Sequence, residues 1–160
     1  MLKAYLKWLP VALILGYNAA DGSCSKIFST KIGESNKQKI MNKIIFSKHW
    51  NKILNQVATG DKKWLSVAQN IKVYTNGSKA NELNLAVAKA MSKNSQGVLK
   101  LVGHHYTLQE VCTVPYPKTD QTSVNQFLKA TLDNLSTQSD PKITALATEC
   151  SNILKNYKTR

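Results

Sequence analysis

The sequence predicts an all-α fold, a single-domain bundle or short array of five to seven helices closed by one disulfide. Three observations carry that expectation. From Ser35 onward, apolar residues recur three and four positions apart almost everywhere, the period of a helix with one buried face. No stretch of four to eight residues sustains the alternation of a half-buried strand, so a sheet has no support. Gly60-Asp61, Thr107 with Glu110, and Asp140-Pro141 stand between the apolar runs as helix stop and start signals.

The first helix opens near Ser35, whose hydroxyl can cap it. Its apolar faces are Ile40, Ile44, Ile45, Trp50, Ile53, Leu54 and Val57, with a break near Ser47. Gly60 supplies a left-handed stop and Asp61 the next cap. A second helix, Lys62 to about Val73, carries Trp64, Leu65, Ala68 and Ile71 inward, and "TNGS" at 75–78 turns the chain after it. Trp50 and Trp64 could stack on a ligand, but aromatics at helical spacing belong to a core, and they are expected there.

The third helix has Leu83, Val87, Ala90 and Met91 on one side, and Ser95 is expected to cap a short apolar helix holding Val98, Leu99, Leu101 and Val102. That helix stops near Gly103. Thr107-Leu108-Gln109-Glu110 is a capping box, in which Thr107 accepts from the amide of Glu110 and Glu110 reaches back to the amide of Thr107. Pro115 and Pro117 then forbid helix across "TVPYP". Phe127, Leu128, Thr131, Leu132 and Leu135 mark the next helix, and Asp140-Pro141 opens the last with a cap and a first-turn proline.

Residues 1–20 read as a secretory signal peptide, with Lys3 and Lys7 before an apolar run from Trp8 to Tyr17 and small residues at Ala19 and Ala20. That run is about half of what a helix needs to cross a bilayer. The expected product is exported, periplasmic or secreted beyond an outer membrane, with a flexible segment over 21–34 and a helical domain over 35–160. No linker, low-complexity tract or fixed-period repeat divides it further.

In an oxidising compartment cysteines pair. Cys150 falls on the apolar stripe of the last helix, with Ile143, Leu146, Ala147, Ile153, Leu154 and Tyr157, and Cys112 ends the capped turn before the proline strap. A Cys112–Cys150 bridge would fasten strap to core. Cys24 is left free, intermolecular or lipidated, although Asp21-Gly22-Ser23 before it is not a lipobox.

This pairing bears on "GHHYTLQEVC", where His104 and His105 precede Cys112. A sulfur in a disulfide neither ligates zinc nor attacks, and adjacent histidines on a helix point about 100° apart. The pair reads as part of a joint between helices, with no metal ligand or catalytic residue assigned. A small metal-dependent enzyme using His104, His105 or His49 is the third reading of function. The nine acids are scattered, and no GxSxG, HExxH or Walker sequence occurs.

Lys and Arg number 22 against 9 Asp and Glu; without residues 1–20 the balance is 20 to 9. Such an excess draws anionic surfaces. Arg160 is the sole arginine, and base readout and bidentate phosphate clamping lean on arginine, so nucleic acid is not an expected partner. Lys37, Lys39, Lys43, Lys48 and Lys52, followed by Lys62 and Lys63, form the expected basic binding face. An acidic protein is the expected partner, an anionic lipid or polymer the alternative, and no cofactor is implied.

The order of Trp50, Gly60-Asp61, Trp64-Leu65, the alanine-rich run, Val98-Leu99 and Cys112 resembles a group of small exported helical proteins of proteobacteria that are themselves uncharacterised. Architecturally, a small exported helical domain with one disulfide is also similar to the immunity proteins that block type VI secretion amidases. The likeness implies a non-enzymatic exported protein that binds or inhibits another protein in the cell envelope. A secreted factor of a host-associated bacterium, acting on anionic lipid or polymer through its lysines, is the second reading.

Overall fold

Each apolar run becomes a helix of the computed structural model, which describes residues 34–157. In chain order these are α1 (Glu34–Ile45), α2 (Trp50–Val57), α3 (Lys62–Lys72), α4 (Gly77–Ala90), α5 (Ser95–Leu99), α6 (Leu108–Val111), α7 (Gln121–Ser136) and α8 (Pro141–Tyr157). No strand occurs among the described residues, only an isolated bridge between Val102 and Tyr106. The expected all-α class is what folds. Its helices number eight among the described residues because the break at Ser47 is complete and the capped turn at Thr107 stands as a helix of its own. The expected signal peptide at 1–20, Cys24, the 21–33 segment and Arg160 lie outside the described residues.

Short α5 sits at the centre. Its Val98 and Leu99 are fully buried, and it packs against α3, α4, α6, α7 and α8. Around it, α4 packs on α2, α3 and α6, while α7 and α8 lie along each other. Most of the expected stripes are buried: Ile44, Ile45, Trp50, Ile53 and Val57 in α1 and α2, Leu83, Val87 and Ala90 in α4, and Ile143, Ala147, Cys150 and Leu154 in α8, with Leu54, Leu146, Ile153 and Tyr157 partly buried at their edges. Ile40, expected on the apolar face, is instead exposed, because it lies a turn before Ile44 and to one side of Met41, where α1 first meets the core. Trp50 belongs to this core, and Trp64 packs partly buried against it.

The caps follow local chemistry with one correction. Asp61 accepts from the amides of Lys63 and Trp64, Asp120 from Ser123, and Asp140 from Lys142. The Thr107–Glu110 capping box is complete. The cap of α5, however, is Asn94 and not Ser95. Asn94 Oδ1 accepts from the amide of Gly97, and its Nδ2 donates to the carbonyl of Gly60 at 2.7 Å. One amide side chain thus closes a helix and ties it to the α2–α3 corner, which a hydroxyl cannot reach. Gly60 has φ +76°, and a Cβ there would stand 3.0 Å from Asn94 Cβ, so this approach requires glycine. Ser95 turns inward and donates to the carbonyl of Asn134.

Cys112 and Cys150 form the disulfide, with Cα atoms 5.4 Å apart and both residues buried. It joins the strap after α6 to the core face of α8. No helix among the described residues is long and apolar enough to cross a membrane.

Candidate functional site

Three places hold the residues that the sequence singles out or that the fold brings together. The first is the α1–α2 corner. Ser47 Oγ donates to the carbonyl of Ile44 at 2.8 Å and accepts from the amide of His49 at 3.2 Å. A serine bonding to its own backbone in this way offers an alternative to helix continuation, so the chain breaks here. With Ile45 buried on one side of the break and Trp50 on the other, Phe46 is turned outward and is 70% exposed.

Lysines flank this residue along the chain. Lys39, Lys43, Lys48 and Lys52 are all exposed. Four residues apart, Lys39 and Lys43 share one side of α1, and that side is opposite the buried Met41, Ile44 and Ile45. Lys37, also exposed, is two residues from Lys39 and so projects about 160° away from it. Lys62 and Lys63 are exposed as well, but they follow the far end of α2, beside the Gly60–Asn94 contact. Lys43 and Lys48 thus flank Phe46 within three residues, Lys39 and Lys52 stand exposed on the helices to either side, and Lys37, Lys62 and Lys63 are placed elsewhere.

The second place is the histidine corner. His104 and His105 are exposed at the tip of the Val102–Tyr106 bridge. Gly103 (φ +83°) and His105 (φ +75°) both take left-handed backbone, which lets the amide of Gly103 meet the carbonyl of Tyr106 at 3.1 Å. His49 lies at the other corner, partly buried before α2. No group of three His, Cys, Asp or Glu side chains able to hold a metal ion occurs among the described residues.

Directly beneath the histidines is a polar network that spacing could not disclose. Lys72 Nζ from α3 donates to Glu110 Oε1 at 2.8 Å and to Asn84 Oδ1 at 2.6 Å, and stands 4.8 Å from the centre of the Tyr106 ring. Asn84 Nδ2 donates back to Glu110 Oε1, while Glu110 Oε2 accepts from the amide of Thr107. Burial pushes the Glu110 carboxyl up, but the bonds from Lys72, Thr107 and Asn84 and the charge of Lys72 outweigh it and hold it below the usual range. Tyr106, buried, donates to the carbonyl of Ala68, and burial together with the Glu110 charge raises its hydroxyl. Oε1 of this carboxylate ties α6 to α3 and α4, while Oε2 closes the cap of α6 itself.

The third place is a shallow groove between α2 and α4, about 410 Å³ in volume. Leu54 lines it from α2, Ala58 from the cap that ends α2, and Glu82, Leu85, Ala86 and Lys89 from α4. Glu82 Oε2 accepts from the indole of buried Trp50 at 2.6 Å and pairs with Lys79 at 3.0 Å. The bond from Lys79 comes first among the effects that keep the Glu82 carboxyl ionised below its ordinary value, ahead of the opposing burial and the Trp50 bond. Leu85 stands 43% exposed at the lip.

Comparison with protein-family models, with curated proteins and with solved structures finds no match.

Proposed function

We propose that this chain is an exported, non-enzymatic binding protein that docks an acidic protein of the cell envelope on its α1–α2 corner, as an inhibitor or immunity-like partner does. The observation that carries this reading is Phe46, 70% exposed at the corner, with exposed Lys43 and Lys48 within three residues of it along the chain and Lys39 and Lys52 exposed on the helices to either side. An outward aromatic can supply the apolar contact of an interface, and charges of one sign beside it steer an oppositely charged partner. The chain's large positive excess adds long-range attraction of the same sign. The disulfide supports an oxidising destination.

The test is affinity capture from envelope extracts with the purified domain, comparing wild type with Phe46→Ala and with Lys43→Glu/Lys48→Glu. Support requires an acidic protein bound in fixed stoichiometry, released by salt, and lost with both variants while their melting temperatures stay unchanged. Capture that ignores both variants removes the reading. Binding to phosphatidylglycerol vesicles with the same sensitivity to the variants, in the absence of protein capture, would replace it with a lipid-binding one.

A further inference from the structure

We infer that two copies of this chain pair through their α4 helices, antiparallel about a twofold axis that passes between Leu85 and Ala86. The argument is independent of the α1–α2 corner and rests on the charge order of a single helix. Glu82 and Lys89 are seven residues apart on α4, so they lie on nearly the same side, separated by about 10 Å along the axis. Leu85 and Ala86 stand midway between them, and all four line the α2–α4 groove.

A twofold axis at that midpoint brings Glu82 opposite the partner's Lys89 and Lys89 opposite the partner's Glu82. One helix supplies both halves of the complement. Lys79, which already pairs with Glu82, would stand beside the partner's Lys89 at the same carboxylate, so each Glu82 would be shared by two ammonium groups. Lys89 is suited to this exchange, because its ammonium rests 5.4 Å from the centre of the Tyr116 ring and has no carboxylate partner among the described residues. Glu82 is fixed from behind by Lys79 and the Trp50 indole, which presents it in one position without loss of rotamer freedom on docking.

The apolar part is reciprocal as well. Leu85, 43% exposed in the single chain, would enter the partner's groove against Leu54, Ala58 and Ala86, and the partner's Leu85 would do the same in return. A self-complementary patch of this kind closes at two subunits, the commonest symmetry of soluble oligomers. An unrelated protein could fill the same groove only by carrying the same apolar and charged order on a surface of its own, whereas a second copy carries it already.

The experiment is analytical ultracentrifugation of the oxidised chain over a concentration series, with Leu85→Lys, Lys89→Glu and Lys129→Glu as variants. Lys129 is exposed on α7 and gives the same charge change as Lys89→Glu away from the groove. The expected result is a dimer that Leu85→Lys and Lys89→Glu abolish and Lys129→Glu leaves intact. A second readout is Leu85→Cys in a Cys24→Ser background, which should oxidise to a covalent dimer. A monomer up to about 1 mM, or a dimer indifferent to Leu85→Lys, would overturn the inference. Phe46→Ala should leave the dimer unchanged, so loss of the corner's function and loss of pairing can be told apart.

Discussion

Lys72 Nζ lies 2.8 Å from Glu110 Oε1, across 38 residues of chain, and with Asn84 the pair fastens three helices under the histidine corner. The lysine side chain is only 12% exposed, so removing its partner leaves a charge largely without water. Glu110→Leu should cost about 2–3 kcal/mol in urea unfolding, while Lys72→Met/Glu110→Leu together should cost less than the sum of Lys72→Met and Glu110→Leu made singly. Strict additivity in that cycle would mean that the two side chains are not coupled.

With Glu82 and Asp120, whose carboxyls are also held low, the same carboxyl contributes to the acid limit of stability. Its folded-state pKa is depressed by Lys72, Thr107 and Asn84 against the opposing effect of burial. The stabilisation is therefore full above the unfolded value near 4.3 and is lost as pH falls through the lower folded value. Tyr106 behaves in the opposite sense: its hydroxyl is raised by burial and by Glu110, so its contribution is full below about pH 10 and is lost above it. Chemical denaturation across pH should show Glu110→Gln flattening the acid limb and Tyr106→Phe flattening the alkaline one.

Closing 38 residues of sequence separation between Cys112 and Cys150 should stabilise by about 4 kcal/mol in the chain-entropy treatment. Reductant, or Cys112→Ala/Cys150→Ala, should lower the midpoint in urea accordingly. A reduced protein as stable as the oxidised one would remove the disulfide from the list of what holds the strap to α8.

Thr131 Oγ1 is buried with no hydrogen-bond partner among the described residues. A hydroxyl desolvated without compensation costs about 1–3 kcal/mol, and valine has nearly the same shape. Thr131→Val should raise stability by about 1 kcal/mol, measured in the same urea series.

His105 holds φ +75°, a left-handed conformation that strains a residue with a Cβ by about 1–2 kcal/mol. His105→Gly should therefore stabilise by about 0.5–1 kcal/mol after glycine's greater unfolded-state entropy is subtracted. His104→Gly should not. Equal destabilisation by the two would place the strain elsewhere.

Much of the fold was legible because its signals are local. Asp61, the Thr107–Glu110 box and Asp140-Pro141 act within three residues of themselves, and the Cys112–Cys150 pairing follows from one cysteine on an apolar stripe and the other beside a rigid strap. Ser95 was a reasonable cap on the same logic, and it lost to Asn94 because Asn94 also reaches Gly60 across 34 residues. Nothing in the spacing foretold that Glu110 would meet Lys72, or Glu82 the Trp50 indole, for these contacts are made by packing. The lysine face was readable as composition but not as shape, since composition does not say that Lys62 and Lys63 lie beyond the far end of α2, and the two-residue step that turns Lys37 away from Lys39 was there to be read.

The Cys112–Cys150 bond also decides what a protease can achieve. Between those sulfurs runs a covalent ring containing α7 and the exposed connector Pro117–Thr119. A cut after Lys118 opens the ring without releasing anything: the two pieces stay one molecule until a thiol parts them. Clearance of a nicked chain would then depend on the reducing power of its surroundings as much as on the protease that made the nick.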